Sequence, residues 1–256
     1  MFPTTFKLGK LPPKFDMRIP NLSTYTQDLP PPPEWKDWTK GQSSYNMMAN
    51  DKLGDCTAAA LAHQLQIWTM NVGPEVTLSD DQVVKFYADT CGYVIGDEQS
   101  DVGGNELDIL KQWFKTPGLL GGYNLTGFAP FRTTGLNSIK DSIAICGGAY
   151  LGINLPKTVL NQGDFWYVPA QGPVGDGAPG TLGGHAVVAV AYNSRHIVFV
   201  SWGRLFKMSW DFFTTYTEEC YALVSEAWID KTSGMSPSGF DMNALKSNMN
   251  ALSHII

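Results

Sequence analysis

The sequence predicts an α+β protein of two lobes, a helical lobe first and a β-rich lobe second. A long Ala- and Leu-rich run without Gly or Pro follows Cys56, which is typical of a buried helix. From about residue 126 the chain changes to short β-branched and aromatic runs separated by Gly, Pro and Asn. With 256 residues, the chain is near the upper limit for one hydrophobic core, which fits two lobes of one domain.

Residues 1–45 come before both lobes and are rich in proline, at Pro3, Pro12, Pro13, Pro20 and from Pro30 to Pro33. Proline fixes its own backbone and donates no hydrogen bond, so this segment cannot form long helices. We expect an N-terminal strap that runs extended across the surface.

The helical lobe is assigned to residues 46–125 and should contain three helices. The first begins at Cys56. The second should follow Ser79, which can cap it, and continue through Gln82–Tyr87, with two acidic residues at the positive end of its dipole. The third should span Glu106–Phe114, directly after a pair of glycines.

The β-rich lobe is assigned to residues 126–230 and the C-terminal tail to residues 231–256. Three runs predict strands: Ala149–Leu155, His185–Tyr192 and His196–Trp202. The Gly- and Pro-rich stretch Gln171–Gly184 reads as a loop that leads directly to His185. In the tail, Phe240–Leu252 has a weak helical pattern and is expected to dock as a terminal helix.

Composition excludes several classes of function. Hydrophobic residues make up 43% of the chain and charged residues 16%, which indicates a folded globule. A net charge of −6 without a cluster of Lys and Arg argues against nucleic acid as a partner. The sequence has no secretory h-region and no apolar run long enough for a membrane span, so we expect no membrane contact and a cytoplasmic or virion-associated protein.

The four cysteines, Cys56, Cys91, Cys146 and Cys220, lie far apart and form no CxxC pair. This spacing predicts neither a zinc site nor any other metal or cofactor. Without a signal peptide, reduced thiols are favoured over disulfides, and each cysteine is then either a small buried residue or a nucleophile.

Cys56 stands out because it opens a helix, where free backbone N–H groups and the helix dipole stabilise a thiolate. The segment Asn50-Asp51-Lys52-Leu53-Gly54-Asp55-Cys56-Thr57-Ala58 resembles the nucleophile segment of the papain family of cysteine peptidases. Gly184-His185-Ala186-Val187-Val188 resembles the strand that carries the family's histidine, 129 positions after Cys56. Val200-Ser201-Trp202-Gly203 is similar to the family's Asn-Ser-Trp-Gly.

Together with weaker matches at Phe15-Asp16-Met17-Arg18, Leu78-Ser79 and Gly103-Gly104, these segments span roughly residues 15–230. They imply a papain-like fold, in which a helical lobe and an antiparallel β-barrel-like lobe face each other across a cleft. They imply Cys56 as nucleophile and His185 as its proton partner. Trp202 is implied to shield the histidine. The Gly103-Gly104 pair is implied to bind the substrate backbone, a role that needs residues without a Cβ.

Two positions depart from the family pattern. Asn50 stands where the family has the glutamine of the oxyanion hole; it keeps the amide on a shorter side chain. Val200 stands where the family has the asparagine that orients the histidine, and valine cannot accept a hydrogen bond. Ser201, Ser209 or a backbone carbonyl could orient His185 instead.

The other three histidines, His63, His196 and His254, have no acidic or Cys partner in sequence and are interpreted as structural. No family-like propeptide is visible before the core, so we expect no zymogen control of that kind.

The leading hypothesis is hydrolysis of a peptide or isopeptide bond in a peptide or protein substrate by a Cys56–His185 dyad, with Asn50 and the Cys56 backbone N–H holding the oxyanion. The alternative is a weakly active or inactive papain-fold module with a binding or structural role, for instance in a phage particle or a secretion assembly. Acyl transfer by the same nucleophile also stays open. The sequence determines neither the side-chain preference nor the oligomeric state.

Overall fold

The computed structural model describes residues 6–239. The predicted helix at Phe240–Leu252 and His254 lie outside the described residues. The described helices are α1 (Ser23–Thr26), α2 (Cys56–Val72), α3 (Asp80–Cys91), α4 (Glu106–Lys115), α5 (Leu136–Cys146) and α6 (Trp210–Tyr216). The described strands are β1 (Lys36–Asp37), β2 (Leu125–Pro130), β3 (Ala149–Leu155), β4 (Phe165–Trp166), β5 (Gly183–Tyr192), β6 (His196–Ser201), β7 (Arg204–Ser209) and β8 (Thr217–Ser225).

Helix α2 is the central element of the molecule and confirms the predicted buried helix. Every residue from Cys56 to Met70 is buried, including polar ones. A helix that is buried on all sides must be surrounded by other elements, and α2 packs against α3 on one side and against β5 on the other. It therefore lies at the junction of the two lobes.

The next two helices begin where their capping residues predict. The Ser79 side chain accepts a hydrogen bond from the Gln82 backbone N–H, and the Gln82 side chain completes a capping box. The Asn105 side chain accepts from the Leu107 and Asp108 backbone N–H groups at the start of α4. These caps fix the N-termini of α3 and α4 in the helical lobe.

The second lobe is built on one sheet with the strand order β2-β8-β3-β5-β6-β7-β4, and β1 pairs with the far part of β5. Its pairs are antiparallel except for β4 with β7. The two end strands, β2 and β4, do not pair with each other in the described chain, so the barrel-like sheet stays open. The fold is α+β with two lobes, as predicted.

Helices α5 and α6 lie within the stretch that was interpreted as purely β-rich. Helix α5 buries Ile139, Ile143 and Cys146 against the sheet, where it contacts β8, β5 and β3. Its isoleucines are typical of a strand in composition. The spacing of Ile139, Ile143 and Cys146 by four and three positions places them on one apolar helix face.

The N-terminal strap has only α1 and β1 as regular elements, but its first part does not follow the surface course that was expected. Residues 6–11 enter the cleft between the lobes, and Lys10 is only 6% exposed. No helix in the described residues is both long and apolar enough to cross a membrane.

Candidate active site

Cys56 is the first residue of α2, and the turn before it is fixed by the helical lobe. The backbone N–H of Gly54 donates to both carboxylate oxygens of Asp101 at 3.0 Å. The Tyr87 hydroxyl donates to the same carboxylate at 2.9 Å. Asp55 occupies the N-cap position, but its side chain forms no capping hydrogen bond. The start of α2 is thus held by contacts to residues that follow 30 to 50 positions later.

His185 lies near the start of β5, opposite Ile153 of β3. Its Nε2 atom is 2.7 Å from the hydroxyl oxygen of Ser201, at the end of β6. The Trp202 ring stacks on the imidazole with ring centroids 4.2 Å apart and planes at 15°. The imidazole is therefore held at one nitrogen and covered on one face, by two of the residues that the sequence proposed as supporting.

Val200 does not face His185. Successive side chains of a strand point to opposite faces, and Ser201 points toward His185. Val200 is fully buried and pairs with Val188 of β5. The group that contacts the histidine is therefore Ser201, the residue after Val200. An asparagine at position 200 would be buried in the apolar core.

The Cys56 sulfur lies at the beginning of β5, beside the candidate histidine. The backbone N–H groups of Ala186, the residue after His185, and of Gly9 lie near this sulfur, and each acts to lower the pKa of the thiol. Within the described residues, the Nδ1 atom of His185 has no hydrogen-bond partner. Cys56 and His185 are thus brought to adjacent positions without a thiol–imidazole hydrogen bond.

Burial keeps both groups uncharged. It raises the pKa of the Cys56 thiol to about 12, and the neighbouring Asp55 carboxyl adds to the effect. Burial lowers the pKa of the His185 imidazole to about 3. Cys56 and His185 are each 1% exposed, so neither side chain is open to solvent in this arrangement.

The cover over Cys56 is residues 6–11, which we call the cleft segment. At its start the Lys7 backbone N–H donates to the Asn50 carbonyl at 2.9 Å. The Lys7 carbonyl accepts from the Asn50 amide at 3.4 Å and from the Trp202 indole at 3.3 Å. Phe6 packs on the same indole at 5.2 Å between ring centroids.

Asn50, the candidate oxyanion donor, is buried near this end of the cleft segment. Its amide nitrogen also donates to the Leu53 carbonyl at 3.1 Å. The Asn50 amide, which is the predicted oxyanion donor, thus binds the carbonyl of Lys7 in the cleft segment.

The middle of the cleft segment pairs with the Gly103-Gly104 backbone. The Gly104 N–H donates to the Gly9 carbonyl at 2.8 Å, and the Leu11 N–H donates to the Gly104 carbonyl at 2.9 Å. A Cβ on Gly9 would lie 1.8 Å from the Gly54 carbonyl oxygen, and a Cβ on Gly103 would lie 2.0 Å from the Gly9 carbonyl oxygen. Only glycines permit this approach, which agrees with the expected backbone-binding role of Gly103 and Gly104.

Lys10 fills a buried pocket next to Cys56. Its Nζ atom lies 2.5 Å from a Glu218 carboxylate oxygen and 3.0 Å from one of Glu219. Glu106, at the start of α4, faces the same ammonium and is fully buried. We call these three carboxylates, Glu106, Glu218 and Glu219, with the space between them, the acidic pocket.

Two neighbouring glutamates reach one ammonium because β8 has a bulge. Gly152 pairs with Glu219, whereas the next residue, Ile153, pairs with Thr217, so Glu218 is the extra residue. A bulge interrupts the alternation of a strand and allows consecutive side chains to turn toward the same side. Asn154 and Tyr221 donate to the outer oxygens of Glu218 and Glu219 at 2.6 and 3.1 Å.

Sequence reasoning missed Lys10 and the acidic pocket. The only local signal is the pair Glu218-Glu219 inside an otherwise apolar and aromatic run, where acids are rarely buried without a partner.

Of the histidines interpreted as structural, His63 is buried, with Nε2 2.8 Å from the Asn46 carbonyl, and His196 contacts the Asn193 side chain. All four cysteines are free, and the described residues contain no group of His, Cys, Asp and Glu that would hold a metal.

Neither a known family model nor a curated protein matches this sequence. Solved structures do match the fold. Xylellain, a cysteine protease from Xylella fastidiosa, superposes with a TM-score of 0.64 at 18% identity, over 86% of this chain and 96% of that one. The procathepsin B S9 of Trypanosoma congolense gives 0.60 at 13% identity, over 86% of each chain. Digestive procathepsin L 3 of Tenebrio molitor larval midgut gives 0.56 at 12% identity, over 86% of this chain and 76% of that one.

The chain therefore has the two-lobed fold of the papain-like cysteine proteases, as its motifs predicted. At these identities the likeness concerns the fold alone. The chemistry has to be argued from the side chains around Cys56.

Proposed function

We propose that this protein hydrolyses peptide bonds with Cys56 as nucleophile and His185 as general base and acid, and that the cleft segment keeps it closed. The single observation that carries the proposal is the pairing of Gly9 with Gly104 directly over the Cys56 sulfur. A groove that binds an extended backbone at a buried thiol is suited to present a peptide to that thiol.

The proposed reaction begins when the cleft segment leaves. Water then reaches Cys56 and His185, which removes the cost of burying charge and lets the thiol proton pass to Nδ1 of the imidazole. The thiolate attacks the substrate carbonyl carbon, and the resulting oxyanion is bound by the Cys56 backbone N–H and the Asn50 amide.

Collapse of this intermediate breaks the peptide bond, and the imidazolium gives its proton to the leaving amine. Water then attacks the thioester with His185 as base, which releases the acid product and the free thiol. Ser201 is a positioning residue in this scheme, since its hydroxyl contacts Nε2 and leaves Nδ1 for the thiol. The preferred partner is a peptide or protein substrate.

The test uses the full chain with Gly9→Val, which should displace the cleft segment because a side chain there overlaps the Gly54 carbonyl. Gly73→Val is the matched control, since a Cβ at Gly73 meets nothing within 4 Å and its φ of −167° lies outside the left-handed region. We expect Gly9→Val to cleave peptides and to react with a peptidyl epoxide at Cys56 at least tenfold faster than the native chain. Cys56→Ser and His185→Ala in the same background should abolish both.

A second candidate function is a closed binding module without activity. It is favoured by the missing thiol–imidazole hydrogen bond and by the burial that holds both groups neutral. A Gly9→Val variant with native circular dichroism that neither cleaves peptides nor reacts at Cys56 would decide for this module and against the peptidase.

A further inference from the structure

We infer that the acidic pocket is a subsite for a basic side chain, so that the substrates of this protein are peptides or proteins with lysine or arginine at that position. The inference rests on the proposed hydrolysis and names its substrate class. It starts from Lys10, which occupies the pocket in the closed form.

The pocket binds a buried ammonium group. Lys10 Nζ donates to Glu218 Oε1 and to the Leu11 carbonyl, 2.5 and 3.1 Å away, and lies 3.0 Å from Glu219 Oε1 as an ion pair. The side chain of Lys10 is fully buried, and that of Glu219 is 2% exposed. Removal of a charge from water to this extent is tolerated only where paired charges replace the lost hydration.

The pocket also holds more acceptor groups than Lys10 uses. Two carboxylates pair with its ammonium, the carboxyl group of Glu106 interacts with it electrostatically, and within the described residues neither oxygen of Glu106 has a hydrogen-bond partner. Glu106 is fully buried. An unpartnered buried carboxylate beside a bound cation is a further acceptor, which a guanidinium with its five N–H donors could use.

The shape of the pocket admits a long unbranched side chain. The Lys10 stem passes over Gly152, where a Cβ would lie 2.1 Å from Lys10 Cε and 2.7 Å from Glu219 Cγ. Gly152 therefore opens the entrance through which the aliphatic part of the side chain reaches the two glutamates.

The pocket lies beside the nucleophile and belongs to the peptide groove. Lys10 directly follows Gly9, whose N–H contacts the Cys56 sulfur, and the Lys10 N–H donates to the Gly184 carbonyl at 3.2 Å. A substrate backbone that replaces the cleft segment at Gly104 would place a side chain at the same entrance. The stability of the fold does not require such an ion pair, because apolar replacements of buried ion pairs are often equally stable.

The experiment measures cleavage of positional-scanning peptide substrates by the full chain with Gly9→Val. We expect arginine and lysine to be preferred at one position by at least tenfold over norleucine and citrulline, which have similar lengths without the charge. Glu219→Gln, and Glu218→Gln as a second variant at the half-buried carboxylate, should reduce this ratio at least fivefold. Glu34→Gln, an exposed glutamate of the strap, is the control that should keep the ratio.

Two results would overturn the inference while leaving the proposed hydrolysis intact. One is cleavage by Gly9→Val without a preference for a basic residue at any position. The other is a preference that stays unchanged in folded Glu219→Gln and Glu218→Gln. If a folded Gly9→Val chain cleaves no peptide and does not react with a peptidyl epoxide, the proposed hydrolysis fails, and the substrate class fails with it.

Discussion

At the scale of single residues, burial decides whether the Cys56 thiol and the His185 imidazole are charged, more than the presence of the two groups side by side. A thiol and an imidazole in contact usually stabilise each other as an ion pair, but only where the surroundings tolerate charge. In the closed form, Cys56 has a raised pKa and His185 a lowered one, because both are removed from water. The backbone N–H groups of Ala186 and Gly9 act to lower the pKa of the thiol, and they do not outweigh this cost.

Ser201 is the residue whose contribution to orientation can be tested. In the Gly9→Val background we expect Ser201→Ala to lower kcat about tenfold, equivalent to about 1.4 kcal/mol, because the imidazole loses the contact that fixes Nε2. KM should change little, and Ser201→Thr should restore most of the rate. A rate that is unchanged in Ser201→Ala would show that stacking on Trp202 alone orients His185.

Val200→Asn provides the contrasting substitution. Because Val200 is fully buried and lies on the face of β6 opposite Ser201, an asparagine there should not reach His185. We expect no gain in activity and a loss of about 2 kcal/mol in the free energy of unfolding, from an amide buried without partners. Urea unfolding and peptide cleavage measure the two effects, and a faster enzyme of native stability would contradict this view of the strand.

At the scale of elements, the N-terminus of α4 has two tasks. The Oδ1 atom of Asn105 accepts hydrogen bonds from two backbone N–H groups of the helix. Its Nδ2 atom donates to the Pro12 carbonyl at 2.6 Å, directly after the cleft segment. One side chain thus caps a helix of the core and holds the strap across the cleft.

Substitution of Asn105 should separate these tasks. Asn105→Asp keeps a capping oxygen but loses the donor to Pro12, so we expect near-native stability and faster alkylation of Cys56 by iodoacetamide. Asn105→Ala should show the same faster alkylation together with a loss of about 1 kcal/mol in the free energy of unfolding. Equal alkylation rates in Asn105→Asp and the native chain would mean that the Pro12 contact does not hold the cleft segment.

At the scale of the whole molecule, Lys10 joins three parts of the chain. It comes from the strap, forms ion pairs with Glu218 and Glu219 of the sheet, and interacts electrostatically with Glu106 of the helical lobe. Burial raises the pKa of Glu106 well above its usual range and also raises that of Glu219, and repulsion adds to both shifts, from Glu219 and Glu218 at Glu106 and from Glu218 at Glu219. The attraction to Lys10 opposes this effect only in part.

These raised pKa values predict how stability depends on pH. Between the ordinary pKa of a glutamate, about 4.3, and the raised folded pKa of Glu106, the unfolded chain has lost the proton of this carboxyl and the folded chain still holds it, so the folded state binds more protons. The contribution of Glu106 to stability should then fall as the pH rises through this interval, by up to about 1.4 kcal/mol per pH unit for one group. The cysteines with raised pKa values, Cys56, Cys146 and Cys220, act in the same direction at higher pH.

Urea unfolding of the full chain and of Glu106→Gln from about pH 5 to about pH 9 measures this dependence. Glu106→Gln cannot ionise, so the stability of the native chain relative to this variant should fall as the pH rises, whereas the exposed Glu34→Gln should follow the native curve. A difference between the native chain and Glu106→Gln that stays constant over this range would mean that the folded pKa of Glu106 is not raised.

The sequence by itself determined the elements whose signals are local. The Ala-rich run predicted α2, Ser79 predicted the start of α3, and the short apolar run between Gly148 and Pro156 predicted β3 with the bounds that the structure has. Helix periodicity and capping act over a few residues, and a sequence displays them directly. The motifs around Cys56 and His185 likewise predicted the papain-like fold.

The tertiary structure alone decided which groups meet in the cleft. Lys10 and Glu218 are 208 positions apart, and a bulge in β8 turns Glu218 and Glu219 toward one ammonium. The packing of whole elements also decides which face of β6 carries Ser201. The same packing brings residues 6–11 between the lobes. No local pattern encodes such contacts, because they form only where distant segments bury one another's charged groups and supply one another's hydrogen-bond partners.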